Sequence, residues 1–152
     1  MEAVLRTAPS SPMSGSLKFS GAVDHPRGAD FKCLATVEAG DETLEVVLEM
    51  IAVYQDDMLG FFEDIGETAA RGWDGEQRWR SEFHELTIRA TSAGDGTVTF
   101  DVLIEWPPNY DESWEGTLVF AAEAVTRFGF RMRQFMGLEH GSRFLIDRWR
   151  DS

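Results

Sequence analysis

Strand-like alternation of apolar and polar residues marks the first third of this chain. The alternation covers residues 17–22 and 31–39, and Gly40 with Asp41 then forms a tight reversal into an apolar segment over residues 43–53. The apolar residues of that third segment also fit helical spacing, so periodicity alone leaves its structure open. Its β-branched residues favour extended backbone, and we predict a third strand there.

A helical pattern replaces the alternation over residues 56–71. Its first two residues, Asp56 and Asp57, are acidic, which the dipole of a helix favours at its N-terminus, and Gly72 provides a stop signal. The apolar residues of this segment fall on one face: Met58, Leu59, Phe62, Ile65 and Ala69. We predict an amphipathic helix that packs on a sheet.

The second half of the chain repeats this succession of strands and a helix. Residues 83–91 and 97–106 flank the turn sequence Ala-Gly-Asp-Gly, which predicts a hairpin with one buried face. A further strand is predicted over residues 114–121 and a second amphipathic helix over residues 122–136. The tail, residues 142–149, fits a closing strand or a short helix.

These elements predict an α+β domain with a mostly antiparallel sheet of about five to seven strands and both helices on one face. The like layout of the two halves suggests a duplication, although no repeat is visible residue by residue. Residues 1–16, with their Ser, Pro and Gly, predict a flexible leader before a single domain over residues 17–152. The predicted core consists of twelve apolar residues: Phe62, Ile65, Leu86, Ile88, Phe100, Val102, Ile104, Leu118, Phe120, Val125, Phe128 and Met132.

Acidic residues dominate the middle of the chain. The formal net charge is −13, and residues 38–76 contain twelve acidic residues and one basic residue. A field of this sign repels the phosphates of nucleic acids and anionic lipids, so we expect neither a nucleic acid nor a membrane as partner. The same field speeds encounter with a basic protein, although solubility alone also explains a high net charge.

Cysteine content and the lack of long apolar runs indicate a cytoplasmic protein. Cys33 is the only cysteine, so no intramolecular disulfide can form, and no apolar run approaches the roughly 20 residues that cross a bilayer. The N-terminus lacks the apolar region of a signal peptide. The basic residues are nearly all Arg, which is typical of a GC-rich bacterial genome.

No arrangement of residues predicts catalysis, a metal site or a cofactor. His25, His84 and His140 lack metal-ligand spacing, and no Gly-rich phosphate loop is present. His84 falls in the first arm of the predicted hairpin, where a half-buried ring is expected. Ser81 and Glu82 lie near it in sequence but not in any known triad arrangement, so an enzyme that uses His84 is the weakest of three functional possibilities.

The segment over residues 72–81 joins the first helix to the hairpin. Trp73 and Trp79 bracket a Gly-rich turn, and Arg78 and Arg80 flank the second of these indoles. The indoles are suited to plug the edge of the sheet. Because Trp and Arg also dominate binding hot spots, the less favoured alternative is a recognition patch.

Gly and Trp residues form a distinctive pattern across residues 56–136. A helix is followed by G-W-x-G, W-x-S, an alternating strand, a G-x-G-x-V turn and a later Trp. The matching positions are Gly72, Trp73, Gly75, Trp79, Ser81, Gly94, Gly96, Val98 and Trp114. This pattern resembles a family of small bacterial proteins known only as a domain of unknown function. The resemblance implies a cytoplasmic α+β protein, points to an actinobacterial source and assigns no active site.

Two main classes of function follow. The first is a protein-binding module, such as an immunity or inhibitor protein, whose acidic helix face binds a basic partner. The second is a small-ligand-binding domain in which tryptophans enclose an apolar pocket. The predicted binding residues of these two classes are Asp56, Asp57, Glu63, Asp64, Glu67, Trp73, Trp79 and Arg78.

Overall fold

Eight strands and two α-helices make up the described part of this protein, residues 1–24 and 30–138 of a computed structural model. The first half contains β1 (Glu2–Arg6), β2 (Gly15–Asp24), β3 (Asp30–Ala39), β4 (Glu42–Ile51) and the helix α1 (Ala52–Thr68). The second half contains β5 (Glu76–Arg80), β6 (Leu86–Ser92), β7 (Thr97–Glu105), β8 (Ser113–Ala121) and the helix α2 (Ala122–Met132), which continues as a π-helical turn over Arg133–Leu138.

Each half forms its own four-stranded antiparallel sheet. Strands that are consecutive in sequence are neighbours in each sheet, in the orders β1-β2-β3-β4 and β5-β6-β7-β8. The α+β class and the antiparallel pairing are therefore confirmed. The strands belong to two sheets rather than one. Their number also exceeds the predicted five to seven, because β1 and β5 are too short for their sequence patterns to predict them.

Strand β1 lies inside the segment that the sequence pattern assigned to a flexible leader. Ala3 and Leu5 are buried and pair with Phe19 and Leu17 of β2. The leader prediction is therefore wrong for Glu2–Arg6. Only two buried residues, Ala3 and Leu5, alternate with more exposed ones in β1, which is too short a pattern to predict a strand. The burial of these two side chains depends on the sheet that β1 joins.

The first helix begins at Ala52 rather than at Asp56, directly after β4. The predicted strand over residues 43–53 is confirmed except for its last two residues, which are helical. The first turn of α1 consequently contains no acidic residue, and the expected pairing of Asp56 and Asp57 with the helix dipole is wrong. The chain turns into the helix at Ile51, whose N–H donates to Glu82 Oε2 at 3.0 Å, a long-range contact that local sequence does not reveal.

One aromatic residue, Phe62 of α1, joins both sheets and both helices in a single core. Its ring centroid lies 5.6 Å from that of Phe19 in β2, 5.3 Å from that of Phe128 in α2 and 5.8 Å from that of Trp79 in β5. All twelve residues predicted as core are buried, and none is more than 2% exposed. The predicted register of the helices and of the hairpin is therefore confirmed.

The two helices approach each other closely at a pair of glycines. A Cβ added to Gly129 would lie 2.9 Å from the carbonyl oxygen of Phe62 and 3.5 Å from the Cα of Gly66. Thr126 Oγ1 also donates to the carbonyl oxygen of Gly66 at 2.7 Å. Neither helix, nor any other within the described ranges, is long and apolar enough to span a membrane. The predicted tail, residues 142–149, lies outside those ranges.

Candidate functional site

The five acidic residues predicted for binding share one side of α1, which we call the acidic face. At about 100° per residue they fall within an arc of about 120°. Four of them are exposed and Glu63 is partly buried. The opposite side of the helix carries Met58, Phe62 and Ile65 into the core. Core packing on that side therefore orients the acidic face toward solvent.

Like charges crowd on the acidic face. Burial raises the pKa of Asp56, and the neighbouring charge of Asp57 raises it further. Glu67 lies within one turn of both Glu63 and Asp64, a spacing at which like charges destabilise a helix by about 0.2–0.5 kcal/mol per pair. The ion pair that the described residues provide here joins Arg133 Nη1 to Glu63 Oε2 at 3.8 Å. A cationic partner would relieve this repulsion.

A groove of about 80 Å³ borders the acidic face where α1 crosses α2, and we call it the helix groove. Glu63 and Glu67 line it from α1, and Phe130 and Arg133 line it from α2 and the following turn. The side chain of Phe130 is 67% exposed. Sequence reasoning missed this residue, although an aromatic side chain outside the apolar stripe of α2 was a usable signal.

The Trp and Arg side chains of residues 72–81 face opposite sides of β5. Trp79 is 6% exposed and its ring stacks against that of Phe61, with the centroids 6.2 Å apart. Arg78 is exposed on the other side of the strand. Trp73 is partly buried, and its Nε1 has no hydrogen-bond partner in the described part of the chain. Trp79 is therefore a core residue, and Arg78 is separated from it by the sheet.

Trp106 and Trp114 also serve the packing of the fold. Trp106 Nε1 donates to the carbonyl oxygen of Glu45 at 2.8 Å, which ties the end of β7 to the edge strand β4. The ring of Trp114 lies over Gly116, so closely that a Cβ at that position would be 2.3 Å from it. These contacts leave the indoles engaged with backbone rather than arranged around a shared pocket.

His84 lies in the turn before β6 and not in a strand, so the predicted half-buried position is wrong. Its φ is +64°, and the side chain is exposed. It lines a groove of about 320 Å³ with Glu82, Phe83, Glu105 and Tyr110. The turn forms because the N–H of His84 donates to Ser81 O at 3.0 Å. His25 and His140 lie outside the described residues.

Ser81, next to the same turn, holds a buried carboxylate. Its hydroxyl donates to Glu85 Oε1 at 2.7 Å and accepts the N–H of Leu86 at 3.0 Å. Both side chains are 3% exposed. Burial, together with the charge of Glu85, raises the pKa of Cys33 in β3 to about 12. Glu85 thus lies near β3 of the first sheet, and neither Ser81 nor Glu85 lines the groove around His84.

The described residues contain no group of three or more His, Cys, Asp or Glu side chains placed to hold a metal ion. What they define is an acidic α+β protein that carries a carboxylate-rich helix beside an exposed aromatic ring. By sequence, the chain belongs to a family of unknown function, DUF6228, whose family model matches residues 9–139. This match extends well beyond the 56–136 span of the resemblance, and it begins inside the segment predicted as a leader. No curated protein matches the chain.

Proposed function

We propose that this protein is a non-enzymatic protein-binding module of the immunity or inhibitor type, which binds a basic partner through the acidic face of α1. The observation that carries the proposal is the placement of the exposed Phe130 beside those carboxylates. Charge alone steers encounter and adds little affinity, whereas a desolvated aromatic anchor supplies contact energy. The acidic face and the helix groove offer both within one surface.

The charge argument concerns the rate of association. Asp57, Asp64 and Glu67 are exposed and have no ion pair among the described residues. Their field extends about one Debye length, roughly 8 Å at physiological salt, beyond the surface. A cationic protein is therefore attracted before contact, and salt weakens that attraction.

The test is charge reversal on the acidic face. The triple variant Asp57→Lys, Glu63→Lys, Glu67→Lys should fold normally, because these side chains lie outside the core. A partner is first recovered from the source cell's lysate with the wild-type protein, and its association rate is then measured against each variant. We expect the triple variant to associate about ten-fold or more slowly at low salt, with a smaller difference at high salt.

A matched variant separates local from global charge. Glu38→Lys, Asp41→Lys and Glu42→Lys together change the net charge equally on exposed positions at the turn between β3 and β4. We expect this variant to keep most of the wild-type association rate. Equal rates for the acidic-face variant and the wild-type protein would contradict the proposal, as would equal slowing by both triple variants.

The tryptophans do not favour the alternative function, a small-ligand-binding domain with a Trp-lined apolar pocket. Trp79 is occupied by core packing and Trp106 by its hydrogen bond to Glu45. An enzyme that uses His84 with Glu82 remains the third candidate, and the groove that contains both side chains is its support. Glu82 Oε2 accepts the N–H of Ile51 in this arrangement, which orients the carboxylate toward β4.

We also propose that the protein acts in the cytoplasm of a GC-rich bacterium of actinobacterial type. The free thiol of Cys33 is buried, as suits a reducing compartment, and Lys occurs only twice among the basic residues. Fractionation of the source cells with an antibody to the protein tests the compartment.

A further inference from the structure

The sheet β5–β8 carries a groove on the face that points away from the core, and we call it the sheet groove. Its volume is about 360 Å³, which is within the range of small-molecule sites. Thr87 and Arg89 contribute from β6, Asp101 and Leu103 from β7, and Glu115 and Thr117 from β8. All of these residues lie on strands, so the backbone hydrogen bonds between β6, β7 and β8 fix the relative positions of their Cα atoms.

The hydroxyl of Thr87 lacks a partner in this groove. Thr87 is 2% exposed, and its Oγ1 makes no hydrogen bond to any described residue. A second hydroxyl of the groove, that of Thr117 in β8, donates to Asp101 Oδ1 at 2.8 Å. Buried polar atoms are nearly always paired, and valine has the shape of threonine without the hydroxyl. The unpaired Oγ1 of this lining residue is therefore a candidate partner for a polar atom of a ligand.

Basic side chains of β5 and β6 lie beside acidic side chains of β7 and β8 on this face of the sheet. Arg78 of β5 lies directly opposite Arg89 of β6, and Arg80 lies opposite Thr87. Like charges in directly opposed positions destabilise a sheet, yet Arg78 and Arg80 have no ion pair within the described residues. Asp101 and Glu115 supply negative charge on the β7 and β8 side. Arg89 also lies directly opposite Asp101 of β7, so the negative charge begins one strand away from the guanidinium and extends to Glu115 of β8.

We infer that the sheet groove binds a small zwitterion of amino-acid size. Its carboxylate lies against the Arg89 guanidinium and the Thr87 hydroxyl, and its ammonium group lies against Asp101 and Glu115. Arg89 Nε is also 3.5 Å from Glu76 Oε1, and the guanidinium has four further N–H donors for a ligand.

The spacing of the strands sets the length of the ligand. Strands β6 and β8 are two ladder spacings, or about 10 Å, apart, so the ligand's charges are separated by several ångströms. The α-carboxylate and the terminal ammonium of lysine have such a separation, as do the two ends of 6-aminohexanoate. The site is distinct from the acidic face and independent of the partner proposed for it.

The test is an NMR titration of the ¹⁵N-labelled full chain with 6-aminohexanoate and with L-lysine. We expect saturable shifts at the amides of Thr87, Arg89, Asp101 and Thr117. Hexanoate and hexylamine each lack one charged end and should bind about ten-fold more weakly, since each loses one set of charged contacts. The absence of saturable shifts with both zwitterions would overturn the inference, and equal binding of hexanoate would do the same.

Two variants locate the binding groups. Thr87→Val should weaken binding of both zwitterions about ten-fold while the midpoint temperature of unfolding stays the same or rises, because the hydroxyl has no partner among the described residues. Glu115→Gln should weaken the zwitterions and leave hexanoate unchanged. Thr99→Val, on the same face but outside the groove, is the matched control and should bind like the wild-type protein. Unchanged affinity in both Thr87→Val and Glu115→Gln would contradict the site.

Discussion

At the scale of single residues, a few buried polar groups lie near the contact between the two halves of the protein. Ser81 and Glu85 come from the turn before β6, and Cys33 from β3 is close enough for the charge of Glu85 to act on it. Sequence reasoning identified Cys33 as a free thiol and weighed Ser81 beside His84. It could not place Ser81 on Glu85, because that pairing depends on the left-handed backbone of His84, which no Gly or Asn in this turn signals.

Cys33 provides a test at this scale, since its pKa in the folded protein is about 12. In the unfolded chain a thiol loses its proton near about pH 8.5. Between these values the unfolded state binds fewer protons than the folded state, so stability falls as pH rises, and below this window the thiol has no effect. We expect the stability of the wild-type protein relative to Cys33→Ala to fall by about 2–3 kcal/mol between about pH 8 and pH 10.5.

The measurement is urea unfolding of both proteins across this pH range. Comparison with Cys33→Ala removes the contribution of every other group that titrates there. A difference in unfolding free energy that is the same at both pH values would show that the thiol ionises equally in the two states.

At the scale of elements, sequence patterns predicted the long strands and helices, whose periodicity is visible in the sequence. They missed the short strands and the grooves, which depend on neighbouring elements. The hairpin of β6 and β7 and the apolar faces of both helices were predictable, because in each of them the periodic pattern of apolar residues extends over many residues. Strands β1 and β5 are five residues each, and their inward side chains are recognisable only once a sheet adjoins them. The acidic face followed from spacing alone. The helix groove needed the crossing of α1 and α2, and the sheet groove needed the register of β6, β7 and β8.

The helix crossing predicts opposite effects for two glycine substitutions. Gly129→Ala places a Cβ 2.9 Å from the backbone oxygen of Phe62, so the helices must separate, and we expect a loss of about 1–3 kcal/mol of stability. Gly60 lies within α1, where an added Cβ would meet nothing within 4 Å, so Gly60→Ala should add up to about 1 kcal/mol through helix propensity. Urea unfolding of the two variants measures both changes. If Gly129→Ala is as stable as Gly60→Ala, the close approach of the helices is not a constraint.

At the scale of the whole molecule, the two ββββα halves are held together by contacts that cross between them. Helix α2 of the second half packs on β1, and helix α1 of the first half packs on β5. The N–H of Ala8 donates to Val119 O at 2.8 Å, which links the residues after β1 to the edge of β8. Each half therefore completes the core of the other, and we infer that neither sheet unfolds alone.

Strand β1 allows this cooperativity to be tested, because Leu5 is 2% exposed in the first half while all five tryptophans lie at or after residue 73. Leu5→Ala leaves a cavity under β1 and should cost about 2–5 kcal/mol. If the halves form one unit, this substitution lowers the urea midpoint of tryptophan fluorescence as much as that of far-ultraviolet circular dichroism. Glu2→Ala, in the same strand but exposed, should leave both midpoints unchanged. A fluorescence midpoint that stays at the wild-type value while the circular dichroism midpoint falls would mean that the second half folds without β1. If neither midpoint changes, Leu5 does not contribute to the core, and Glu2–Arg6 would be the flexible leader that the sequence predicted.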